Sequence, residues 1–103
     1  MAAPRQGSTL PDLRARIDAI DSALAALLLQ RLLTARAVGE IKKRTGTPVL
    51  DAGREAEVRA SLRAALQGRQ SLADQLADLL LSAGRAEQGD DSPRQACLTP
   101  PLT

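Results

Sequence analysis

The chain has 103 residues, 14 basic and 12 acidic, for a net charge of +2, with no histidine and no Phe, Tyr or Trp. That inventory excludes histidine acid–base chemistry and stacking on nucleic-acid bases, and a lone cysteine, Cys97, excludes an internal disulfide or a cysteine-built zinc site. The length suits one domain, whose core must be built from Leu, Ile, Val and Ala, as helix packing allows.

Residues 1–8 read as a disordered lead. The opening MAAPRQGST carries no apolar run of a secretion signal, and nothing further along approaches a membrane span. A cytoplasmic protein is expected, with neither membrane nor nucleic acid as partner. Ser8, Thr9 or Asp12 can cap a first helix, with Pro11 tolerated in its first turn. From about Leu10 to Arg44 the residues Leu13, Ile17, Ile20, Leu24, Leu27, Leu28, Ala35, Val38 and Ile41 recur at steps of three and four, the spacing of an amphipathic helix. Such a helix is about 50 Å long, whereas a compact domain of this size has a radius of gyration of about 13 Å. The rest of the chain is too short to cover the stripe, so an obligate homodimer is expected.

Thr45-Gly46-Thr47-Pro48-Val49-Leu50 ends the first helix, glycine suiting a left-handed exit and Pro48 forbidding continuation. Asp51 is an N-cap for a second helix of about 52–66, with Val58, Leu62, Ala65 and Leu66 as its stripe. Gly68 closes it. Ser71 is expected to open a third helix, with Asp74 completing a capping box. Leu72, Leu76, Leu79, Leu80 and Ala83 form its stripe, which ends near Gln88. Residues 89–103, polar and proline-rich, carry too little apolar surface to fold. The folded part is therefore 9–88, all-α, with one long and two shorter helices per chain.

Two residues break the long apolar stripe. Arg31 and Lys42 lie on it, eleven positions apart, about three turns, so both leave the same face. Burying either charge costs several kcal/mol unless an anion meets it. Arg54, one turn before Val58, enters along another stripe beside Glu55, with Asp51 at the helix entrance; Gln88 lies on the third helix and Arg14 flanks the stripe near the start of the first. Cations dominate this set, and it contains no nucleophile–base pair. It suits a small polyanion, a dicarboxylate, held electrostatically. Each member also has a plain structural reading: a solvated arginine at Arg14, a snorkelling one at Arg31, a dipole-favouring Lys42, an exposed Arg54–Glu55 pair, a mere cap at Asp51, a frayed end at Gln88.

The order of these residues resembles the all-helical chorismate mutase family. The pattern comprises Leu13-Arg14, Ile17, Ile20-Asp21, Arg31, Val38-Gly39, Lys42, Pro48-Val49, Asp51 and Arg54-Glu55, and runs without a gap from about residue 10 to 58. Beyond residue 60 the likeness weakens. Aligning Leu79-Leu80-Leu81 with the family's third-helix run places Gln88 on the family's glutamine, and Gly84 where many members carry a serine hydroxyl that contacts a substrate carboxylate; Arg85, next door, offers a substitute. The resemblance implies conversion of chorismate to prephenate, the branch step towards phenylalanine and tyrosine, without metal or cofactor. It implies that Arg14, Arg31 and Arg54 hold the two carboxylates, and that Lys42 and Gln88 donate to the ether oxygen. Glu55 takes the ring hydroxyl, Asp51 orders the adjacent loop and Val38 packs on the substrate. Arg14 precedes Arg31 by 17 residues, about 25 Å along one helix, so the family's intertwined dimer, with Arg14 supplied by the partner, is expected. Gln88, an amide, does not titrate; activity flat from about pH 6 to 9 is expected, and a pH–rate profile checks it.

Relatives on the same scaffold act on 4-amino-4-deoxychorismate or eliminate pyruvate from isochorismate. Val38 and Asp51 follow the mutase pattern; Gly84 alone encourages the amino substrate. The non-enzymatic alternative is a helical dimerisation or regulatory module. Some short family members are boosted by a partner enzyme of the pathway, which the sequence does not name.

Overall fold

The computed structural model describes residues 8–89. They form three helices, α1 (Leu10–Thr45), α2 (Ala52–Ala65) and α3 (Gln70–Glu87), with no strand among the described residues. The all-α expectation is met. The expected disordered lead, 1–8, and tail, 89–103, with Cys97, lie outside the described residues except for Ser8 and Gly89. The chain divides into two units between Arg31 and Leu32.

In the first unit, α1 starts with a reciprocal cap. The Asp12 amide donates to Thr9 Oγ1 and the Thr9 amide donates to Asp12 Oδ2, both at 3.2 Å. Two donors that the first turn leaves without helical partners are thereby satisfied. Of the three candidate caps, Thr9 holds the position and Asp12 answers it. The apolar row that follows is open: Ile17, Leu24 and Leu27 are 55%, 59% and 60% exposed.

In the second unit, α1 ends as its sequence dictates. Gly46 takes φ +70°, and the Thr47 amide donates to the Lys42 carbonyl at 2.9 Å, closing the last turn before Pro48. Asp51 caps α2, its Oδ1 accepting from the Arg54 amide at 3.0 Å. Gln67 and Gly68 both take positive φ in the turn to α3.

The entrance to α3 departs from expectation. Its N-cap is Arg69, with no side-chain capping bond, so Ser71 does not open the helix. Asp74 is drawn sideways to α2 instead, accepting from Arg63 Nε at 2.9 Å and Nη2 at 3.1 Å, and pairing with Arg59 at 3.4 Å. Arg59 also bonds Asp78 at 2.7 Å. A carboxylate facing two guanidinium groups gains more from them than from a backbone amide at a helix start.

The buried face of α3 is also displaced from the leucine stripe. Ala73, Ala77, Leu81 and Gly84 are buried, whereas Leu72 and Leu79 are 51% and 60% exposed. Small residues mark the line of closest approach, because interhelical distance follows side-chain size; the larger leucines flank that line. Hydropathy locates the broad stripe, and packing selects its small-residue edge.

The Asp74 cluster carries a pH prediction. The Arg63 hydrogen bond, with Arg59 adding, holds the Asp74 carboxyl below its ordinary value of 3.8, outweighing a partial desolvation that acts the other way. Lowered on folding, this carboxyl contributes stability that is present above about pH 4 and lost as pH falls through the folded value. Asp74→Asn is expected to lower the thermal midpoint at neutral pH, and the difference from wild type to shrink in acid. A difference independent of pH between 2 and 7 in melting curves would contradict the assignment.

No helix among the described residues is long and apolar enough to cross a membrane.

Candidate active site

Lys42 stands in the last turn of α1, half-buried. Its Nζ donates to the Val49 carbonyl at 2.6 Å and to Gln88 Oε1 at 2.7 Å. An ammonium has only donors, so the Gln88 amide presents its oxygen there, which leaves its NH2 group as a donor. Gln88 is the C-cap of α3, and its backbone lies against Gly39, one turn before Lys42 on α1. Arg36, one turn earlier still, bonds Glu87 Oε2 through Nε and Nη2 at 3.2 and 3.0 Å. Thus residues 36, 39 and 42, at helical spacing on one face, grip residues 87 and 88.

A second pairing joins α2 to α3. Arg85 Nη1 donates to Glu55 Oε2 at 2.6 Å, with both side chains about a quarter exposed or less (21% and 24%). The plain structural alternative, an exposed Arg54–Glu55 pair, is not what forms: Arg54 turns to Glu57 at 3.4 Å in the open, and Glu55 turns inward to Arg85. The reason is the helical repeat, since neighbouring residues diverge by about 100° while residues three apart share a face. Asp51 is engaged as the cap of this same turn, through Oδ1.

Of the residues singled out in the sequence, the second unit thus brings Lys42 together with Gln88, and groups Asp51, Arg54 and Glu55 on the first turn of α2. Gly84 is buried in α3 beside Arg85, and Val38 is 39% exposed. Arg14 and Arg31 belong to the first unit, Arg14 exposed and Arg31 half-buried and engaged. Sequence reasoning missed two contributors, the Val49 carbonyl and the packing role of Gly39; a glycine inside a long helix, one turn from a lysine on the apolar stripe, was the available sign. Among the described residues no cluster of His, Cys, Asp or Glu could hold a metal. The cluster offers an ammonium, an amide donor and a guanidinium–carboxylate pair, groups that bind and stabilise an anion.

The profile of the family described as chorismate mutase type II matches residues 13–89. A 3-dehydroquinate dehydratase of Pyrobaculum aerophilum is 44% identical over 52 residues, covering 50% of this chain and 17% of that protein. A T-protein of Enterobacter agglomerans is 46% identical over 54 residues, covering 52% of this chain and 14% of that protein. The chain therefore corresponds to under a fifth of the length of either relative. No solved structure matches.

Proposed function

Since the chain belongs to the chorismate mutase type II family, we propose that it is itself a chorismate mutase, rearranging chorismate to prephenate in the cytoplasm as a homodimer. The observation that carries this reading is the 2.7 Å contact between Lys42 and Gln88. Two side chains 46 positions apart in the sequence meet at one point, and both carry N–H donors suited to an oxygen that becomes negative as its C–O bond breaks. Substrate entering there exchanges the mutual contact for two donor bonds that strengthen in the transition state.

The remaining roles are those that membership of the family suggests for these residues. Arg14, Arg31 and Arg54 hold the two carboxylates and fold the flexible ether over the ring, an orientation effect. Glu55 accepts from the ring hydroxyl, oriented by Arg85; Asp51 holds the start of α2, and Val38 packs on the substrate. Gly84 offers no hydroxyl, so Arg85 also supplies a donor to the substrate carboxylate in place of the serine that many members carry there. Neither metal nor cofactor is needed for an intramolecular rearrangement.

The open row on the first unit supports the second copy. Full burial of a leucine or isoleucine contributes about 1.5–3 kcal/mol, and Ile17, Leu24 and Leu27 are all more than half exposed in the single chain.

Incubation of the purified chain with chorismate, 4-amino-4-deoxychorismate and isochorismate in parallel, with products identified, tests the reading. Prephenate from chorismate as the dominant product is expected. Preference for the amino substrate, or pyruvate release from isochorismate, would replace it by one of the two related activities. No turnover of any of the three, with strong salt-dependent DNA affinity or only self-association, would favour a non-enzymatic helical module.

A further inference from the structure

We propose that Gly39 is a positioning residue for the Lys42–Gln88 pair: by having no side chain it lets the backbone of Gln88 settle on α1 and holds the amide at the lysine. For its kinetic consequence this rests on the function proposed above; for its geometry it does not. Gly39 is buried inside α1, where glycine is about 1 kcal/mol less favourable than alanine, so its presence needs a reason. A Cβ at this position would lie 2.7 Å from Gln88 Cα, 2.8 Å from its carbonyl oxygen and 3.1 Å from its carbonyl carbon. These are backbone atoms, so no rotamer change relieves the clash; the end of α3 has to move. At Gly53, by contrast, a Cβ would meet only the Asp51 carboxylate oxygen at 3.6 Å, an ordinary contact.

The consequence falls on Lys42 because one face of α1 holds both. Arg36 and Lys42 flank Gly39 at one turn on either side and grip Glu87 and Gln88 respectively. Displacing the Gln88 backbone by about 1 Å carries its amide out of hydrogen-bonding range of Nζ, from the present 2.7 Å. Misplacement on that scale costs about 10²-fold when a group must meet a transition state.

The test compares Gly39→Ala, Gln88→Ala and the double variant of the full chain. Gly39→Ala is expected to lower kcat by about 10- to 100-fold with KM changed by less than about threefold. The same substitution added to Gln88→Ala is expected to change kcat by less than about twofold, because the group it displaces is already gone. A second measurement needs no substrate: the rate of trace acetylation of Lys42, followed by mass spectrometry, is expected to rise several-fold in both single variants. Wild-type turnover in Gly39→Ala, an equal loss in the Gln88→Ala background, or unchanged labelling of Lys42 would each overturn the proposal. So would a Gly39→Ala chain that circular dichroism shows unfolded, since the glycine would then serve the fold as a whole. An inactive wild type would defeat the proposed function, while the labelling comparison would still judge Gly39.

Discussion

Lys42→Ala is expected to lower kcat by at least about 10², with helix content unchanged. Two effects compete in this substitution. The ammonium ties the loop at Val49 and the end of α3 at Gln88, through bonds of 2.6 and 2.7 Å, and hydrogen bonds to a charged group contribute about 1.5–3 kcal/mol each to stability. A drop in thermal midpoint therefore accompanies the kinetic loss. The two are separated by where the loss appears. If Lys42 stabilises charge that develops only in the transition state, kcat falls and KM moves little, at temperatures well below melting. If Lys42 merely braces the loop, activity tracks the folded fraction and returns on cooling. A folded variant with near-normal turnover would rule out its place as a donor.

Mixing two inactive chains is expected to restore about a quarter of wild-type activity. Arg14 and Lys42 stand at opposite ends of the long helical sequence, so the proposed site takes Arg14 from one subunit and Lys42 from its partner. Arg14→Ala and Lys42→Ala, each nearly inactive, are unfolded together and refolded as a mixture. Random pairing makes about half of the dimers mixed, and each mixed dimer has one intact site of its two. Sites built within single chains would recover nothing, because every one would retain a lesion. Silence from the mixture, with subunit exchange confirmed by mass spectrometry of differently labelled chains, would refute the shared site.

What the sequence determined by itself is whatever depends on a few neighbouring residues. The exit of α1 at Gly46 follows from the sign of φ and from Pro48, and the entry of α2 follows from Asp51 accepting an amide three residues on. The three-helix architecture follows from the period of the apolar residues. Lys42 and Gln88 were visible as polar groups in apolar or terminal positions, and Arg31 as a charge on a stripe. The tertiary structure alone decided the pairings: Lys42 with Gln88 across 46 residues, Arg85 with Glu55 across 30, and Asp74 with Arg63 in place of the end of its own helix. It also decided that Ala73 and Ala77, flanked by more exposed leucines, form the buried line of α3. The physical reason is range. Caps and turns are settled within about one helical turn, by satisfying particular amides, whereas a side chain's distant partner depends on how closely two helices approach, and that distance is set here by residues as small as Gly39 and Ala77, whose contribution is the absence of bulk.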